Sequence, residues 1–244
     1  MAKVTRKELL KQDDAFLAAA SQSAQWVGSH RAPVILAVVG AVAVVLAAWG
    51  VIELRSYRTQ RGATALEAAL TILNAEVVGE EKAAPSATPP TFASEQVKWR
   101  AAEERFSQIA RDEGLHGAGV LAAFYSGDLR QKLGDNGPAE AQLTALFEAL
   151  QPSDSLFFLA VERVAYLQEG RGELKQAALT WQRLVDGTDA FYADTASFEL
   201  ARLYIKQGEA EQARRLLESF EAKFASSPLR EKAADALAQL GPAL

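Results

Sequence analysis

The sequence predicts an all-α chain in which one N-terminal transmembrane helix is followed by an α-solenoid. Three observations carry this. The 21 residues from Ala32 to Ile52 contain no charge. Beyond them an apolar pattern recurs four times, an alanine followed by a large apolar residue four positions on and another seven positions on: Ala102, Phe106, Ile109; Ala139, Leu143, Leu146; Ala177, Trp181, Leu184; Ala213, Leu217, Phe220. Positions with that spacing share one helix face, and few stretches alternate as strands do, so almost no sheet is expected.

The elements follow in order. Residues 1–31 form a tail that opens on a capping box, with Thr5 as cap and Glu8 reaching back. Leu9, Phe16, Ala20 and Val27 fall near one face of a helix, which docks on a membrane protein, lies at the bilayer surface, or simply leads, solvated, into the anchor. Residues 32–52 are the transmembrane helix. At about 1.5 Å per residue they cover about 30 Å, the thickness of the hydrocarbon core. Trp26 and Trp49 or Tyr57 suit the interfacial belts, and Ala37 with Ala41 or Ala43 with Ala47 would let a second helix approach. A cleaved signal peptide fits less well, because its apolar run is usually about 7 to 15 residues. Lys3, Arg6, Lys7, Lys11 and Arg31 favour a cytoplasmic tail, whereas Arg55, Arg58 and Arg61 beyond the helix favour the reverse, so charge leaves topology open.

Residues 53–78 read as the first solenoid helix, with Leu66, Leu70, Leu73 and Val77 at helical spacing. Residues 79–94, with Pro85, Pro89 and Pro90, read as a flexible Pro-rich loop. Residues 95–244 are the repeats. Their lead alanines lie 37, 38 and 36 residues apart, close to the roughly 34-residue period of tetratricopeptide helix-turn-helix units. Gly134 and Gly208 each stand five residues before an alanine landmark, while Gly170 and Gly172 share this role in a middle unit that reads about two residues longer. The clearest unit is Asp194 to Pro228, where Leu200, Ala201, Tyr204, Gly208, Ala213 and Leu217 follow the tetratricopeptide order. Leu229 to Leu240 forms a capping helix.

Composition narrows the function. Residues 1–52 carry a formal charge of +2 and residues 53–244 one of −7. An acidic stack repels phosphate backbones, so nucleic acid is not an expected partner. Cysteine is absent, which removes disulfides, thiolate nucleophiles and cysteine-ligated zinc. The two histidines, His30 and His116, lack helical-spacing partners, and Gly117-Ala118-Gly119 reads as a helix-joining turn. Glu103 with Glu104 and Glu209 with Glu211 sit in charged runs expected on exposed faces. No catalytic, cofactor-binding or metal residue is assigned, and no cofactor is expected.

The basic tail with Thr5, Arg6, Lys7, Glu8 and Leu9, the single anchor and the degenerate repeats after a Pro-rich loop resemble the inner-membrane family of the ancillary SecYEG translocon subunit. The tetratricopeptide domain of that family is related to a periplasmic cell-division coordinator. The resemblance covers nearly the whole chain. It implies a bacterial inner-membrane protein with a cytoplasmic N-terminus and a periplasmic solenoid, partnered by the SecYEG translocon and periplasmic chaperones as well as the bilayer. The repeat alignment places Phe124, Phe157, Val164, Phe198 and Arg202 as candidates for a protein-binding groove, with core packing, or for Arg202 a solvated surface position, as the competing reading. A structural component of an envelope machine serving division, outer-membrane assembly or motility is the alternative function. A tether facing the cytoplasm is a further one, and the anchor and stack ends permit a homo-oligomer.

Overall fold

The computed structural model describes residues 31–187 and 192–241. The expected tail helix lies outside them. Nine α-helices occur among the described residues: α1 (Arg31–Leu73), α2 (Glu95–Glu113), α3 (Ala118–Lys132), α4 (Asn136–Ala149), α5 (Ser155–Gly170), α6 (Leu174–Val185), α7 (Ala193–Gln207), α8 (Ala210–Lys223) and α9 (Arg230–Gln239). The chain divides into two units, Met1–Arg58 and Thr59–Leu244, and α1 contributes to both.

In the first unit Val42, Val44, Val45, Leu46, Trp49, Val51 and Ile52 are all more than half exposed. Leaving so much apolar surface uncovered in water is unfavourable. From Val39 onward α1 is long and apolar enough to cross a membrane.

In the second unit α1 ends at Leu73, five residues short of the expected Val78. Its last turn tightens, with the Ala75 N–H donating to the Ile72 carbonyl at 3.2 Å. Glu76–Val77 then forms strand β1, paired in parallel with β2 (Thr91–Phe92). β-Branched Val77 and Val78 favour this extended path over another helical turn. The expected flexible loop is instead internally hydrogen-bonded: the Thr91 hydroxyl accepts from the Ala84 N–H at 2.9 Å and donates to the Lys82 carbonyl at 3.3 Å. Phe92 is buried, and the nearly enclosed Lys98 amine donates to the Ala75 carbonyl at 3.2 Å. The proline segment is thereby stitched to α1 and α2.

The four alanine-led triplets occupy α2, α4, α6 and α8, every second helix of the stack. All twelve of these side chains are at most 7% exposed. The core is accordingly divided along the stack. One cluster joins α1, α2 and α3, a large one runs from α3 to α7, and a third, around Leu217, Phe220 and Ala233, is sealed by α9. Cores that pass from each helix pair to the next define a tetratricopeptide-like solenoid.

Three turns repeat one geometry. Gly134, Gly172 and Gly208 have φ of 89°, 77° and 77°, the left-handed conformation that favours glycine. The next residue, Asp135, Glu173 or Glu209, donates its N–H back to Arg130, Gln168 or Tyr204, at 2.9, 2.9 and 2.8 Å. It then caps the following helix with ψ of 58°, 55° or 57°. The turn role is therefore not shared between two glycines, although the unit from Gly134 to Gly172, at 38 positions, is two longer than the 36 from Gly172 to Gly208. Gly170 is the last residue of α5, and Gly172 alone takes the positive φ, again five residues before the landmark alanine.

Candidate protein-docking face

Because the turn is invariant, residues of α3, α5 and α7 can be aligned by counting back from Gly134, Gly172 and Gly208. Eight residues back stand Ser126, Val164 and Leu200, all at most 1% exposed. Seven back stand Gly127, Ala165 and Ala201, small because the paired helix crosses there. Nine, six and three back stand the positions of the outward face: Tyr125, Arg163, Glu199; Asp128, Tyr166, Arg202; Gln131, Glu169, Ile205; ten back stand Phe124, Glu162 and Phe198, of which Phe124 is buried in the core.

These side chains bind neighbouring repeats to one another. Arg163 Nε donates to Asp128 Oδ1 at 2.8 Å, and Lys132 closes on the other oxygen at 3.0 Å. One repeat further on, Arg202 grips both oxygens of Glu169, at 2.7 and 2.6 Å, while its Nε donates to Glu199 at 2.7 Å. Lys206 also pairs with Glu169. Two-pronged guanidinium–carboxylate contacts fix orientation as well as attraction. Held mainly by the Arg202 hydrogen bonds, the Glu169 carboxyl titrates at about 2, and Arg202 is shifted upward in turn by Glu169.

A second set of contacts uses the residue after the lead alanine. Glu103 accepts from Arg130 Nε at 2.8 Å and from the Ser126 hydroxyl at 3.0 Å. Glu140 accepts from the Gln168 amide at 2.8 Å and from Arg171, and Gln168 Oε1 in turn accepts from Thr180 at 2.7 Å. Each buried polar atom in this chain of contacts is satisfied across a helix boundary, which fixes the angle between repeats.

Tyr166 lies inside this frame. It is 37% exposed, and its ring stands edge-on to the buried Trp181 at 5.7 Å and 81°. Burial first, and then the Glu199 and Glu162 carboxylates, push its hydroxyl up to about 12, so it remains a neutral donor. Burial also raises Glu162, one turn before it on α5. Ile205, 38% exposed, continues the face onto α7. An aromatic plane bordered by carboxylates and a guanidinium offers stacking, apolar contact and hydrogen bonding to a docked protein segment.

The five groove candidates fall into two groups. Phe124, Phe157 and Val164 are 8%, 4% and 1% exposed and belong to the central core, so they do not line an open groove. Phe157 and Val164 stand fifteen and eight residues before Gly172, which are inward positions. Phe198 is half-buried against the terminal cluster. Arg202 is on the outward face, but as the centre of the ion-pair frame. Tyr166 and Glu162 were missed. Counting six residues back from Gly172, as Arg202 stands six back from Gly208, finds Tyr166, and only the two-glycine ambiguity hid it. Among the described residues no group of three or more histidines and carboxylates could hold a metal ion.

No protein-family model matches the chain. A comparison with curated proteins also finds no match. Among solved structures, the nearly identical TPR-like repeats of a Podosopora anserina kinesin light chain protein are similar at 18% identity and a TM-score of 0.47, over 59% of this chain and 78% of that one. A form of the same repeats with one residue substituted is similar at 17% identity and a TM-score of 0.47, over 59% and 77%. A tetratricopeptide repeat protein from Parabacteroides merdae is similar at 16% identity and a TM-score of 0.47, over 60% of this chain and 54% of that one. The repeat assignment rests on the chain's own turns and packing.

Proposed function

We propose that this chain is a membrane-anchored protein-binding scaffold, ancillary to the secretion translocon and the periplasmic chaperone network. A tetratricopeptide-like stack is an architecture of protein interaction. The observation that carries the reading is the face built by α3, α5 and α7, where Tyr166 is presented inside an ion-pair frame that spans three repeats. The apolar stretch of α1 supports tethering to a bilayer, with the tail cytoplasmic and the solenoid periplasmic in a bacterial inner membrane. The translocon and chaperones enter from the resemblance of tail, anchor and repeats together.

Brief in-cell cross-linking, purification in mild detergent and mass spectrometry test this, with an anchor-swapped chain and Tyr166→Ala as controls. Recovery of translocon subunits and chaperones, lost in both controls, is the expected result. Enrichment of division, outer-membrane or motility proteins would instead assign the scaffold to another envelope machine. A reporter fused after Leu244 that is active only in the cytoplasm would overturn the topology.

A further inference from the structure

A second feature lies away from the docking face. A cleft of about 500 Å³ opens between the end of α1 and the proline segment, within the roughly 300–1,000 Å³ of ligand-sized clefts. One wall is a helical stripe containing Glu67, Leu70 and Asn74, and the other is made by Pro89 and Pro90. The floor hydroxyls are already used. Thr71 donates to the Glu67 carbonyl at 2.9 Å, and Thr91 serves the loop. By contrast, the carboxylates of Glu67 and of Glu76, at the cleft's end, hold no hydrogen bond or ion pair with any described residue, and neither does the side-chain amide of Asn74, whose backbone N–H closes the helix on the Leu70 carbonyl at 3.0 Å.

The charge around the cleft is mainly negative. Between residues 67 and 98 stand Glu67, Glu76, Glu80, Glu81 and Glu95 against Lys82 and Lys98, and the Lys98 ammonium is already held by the Ala75 carbonyl and by Glu95. An anion would be repelled, and a wholly apolar occupant would strip water from two carboxylates without replacing it. A long cationic side chain satisfies both requirements. Its aliphatic stem covers Leu70 and the proline rings while its head reaches the carboxylates and the Asn74 carbonyl.

We propose that this cleft docks an arginine or lysine side chain carried on an extended segment of a protein partner. The site is separate from the Tyr166 face and acts as a second contact point. A lysine or arginine on an apolar-flanked strand or loop is the form of partner it fits, because the cleft is open to solvent and Leu70, Pro89 and Pro90 give it apolar walls.

The test uses the full chain in neutral detergent micelles and the anisotropy of a fluorescein-labelled hexapeptide alternating arginine and leucine. A matched peptide with glutamate for arginine is the control. Binding of the arginine peptide alone, weakened at least tenfold by Glu67→Gln with Glu76→Gln and weakened by added salt, is expected. Both glutamates are exposed, so the double variant folds. Glu162→Gln should leave this affinity unchanged. Equal binding by the double variant would overturn the proposal by assigning the signal to the micelle, and loss with Glu162→Gln instead would move the basic site to the α3–α5–α7 face.

Discussion

Gly127 is where the stack is tightest, and replacing it by alanine tests the packing. It is buried in α3, seven residues before Gly134, and a Cβ there would lie 2.7 Å from both Cγ and Cδ2 of Leu143. Leu143 is fully buried and belongs to the alanine-led triplet of α4, so it has no free space to rotate into. Overpacking a dense core costs about 1–3 kcal/mol, and a contact this short with two carbons belongs in the upper part of that range. Exchanging glycine for alanine inside a helix returns up to about 1 kcal/mol. The balance is a loss of about 1–2 kcal/mol, and at roughly 2–4 °C per kcal/mol for a unit of this size the midpoint falls by about 2–8 °C. Thermal melts followed by circular dichroism at 222 nm measure it. Leu143→Ala alone should cost about 2–5 kcal/mol. The pair should cost less than the sum by at least about 1 kcal/mol, because the shortened side chain leaves room for the new methyl. A Gly127→Ala protein as stable as the parent, or a double variant with additive losses, would refute the reasoning.

Other outcomes follow from the same geometry. The Glu169 carboxyl is held at about 2, below its ordinary 4.5, so its contribution is complete above about pH 4.5 and disappears as pH falls toward 2; Glu169→Gln should flatten the melting temperature across that window, and an unchanged slope would exclude the ion-pair frame as the cause. Gly172→Ala forces a side chain into positive φ and should cost about 1–3 kcal/mol, whereas Gly137→Ala, without positive φ or a nearby atom, should be neutral or slightly stabilising in the same urea titration. Phe198→Ala should lower the melting temperature because the ring packs on the terminal core. Tyr166→Ala should also lower the melt, by the Trp181 ring contact of about 0.5–1.5 kcal/mol and by the apolar area the ring buries, but it alone should abolish recovery of cross-linked partners; equal recovery with the two variants would remove the distinction between core and face.

The alanine-led triplets made the stack legible, because a helix face that must be buried twice, against its pair and against the next repeat, accepts only apolar residues. The capping helix and the glycine turns were legible for a similar local reason. The proline segment was not, since its order depends on a two-residue strand pairing and on Thr91 bonding to backbone seven and nine residues away. The docking face was half legible. Arg202 is a charged residue at an outward position, but Tyr166 occupies the same place on α5 with no chemical likeness to it. The repeat alignment offers Phe124, Phe157 and Val164 as groove candidates with core packing as the competing reading, and their apolar character fits both. Register, counted from the turn glycine, separates Phe157 and Val164 from the face, whereas Phe124 shares the register of Glu162 and Phe198 and is set apart only by its enclosure in the central core.

Gly134 and Gly172 are 38 positions apart and Gly172 and Gly208 are 36 apart, yet each glycine keeps its distance of five from the alanine that follows. All variation in unit length therefore falls after the landmark alanine, in the far end of its helix, the connection and the next helix: α4 and α5 run for 14 and 16 residues, α6 and α7 for 12 and 15. Added or deleted residues in the connection leave the closing bends, the alanine seats and the stacking axis where they were, whereas a single residue inserted after a turn glycine would rotate its helix by about 100°. The chain thus has seams that accept grafted sequence and joints that do not, and a reporter or recognition peptide placed between Ala149 and Ser155 would leave the rest of the array in step.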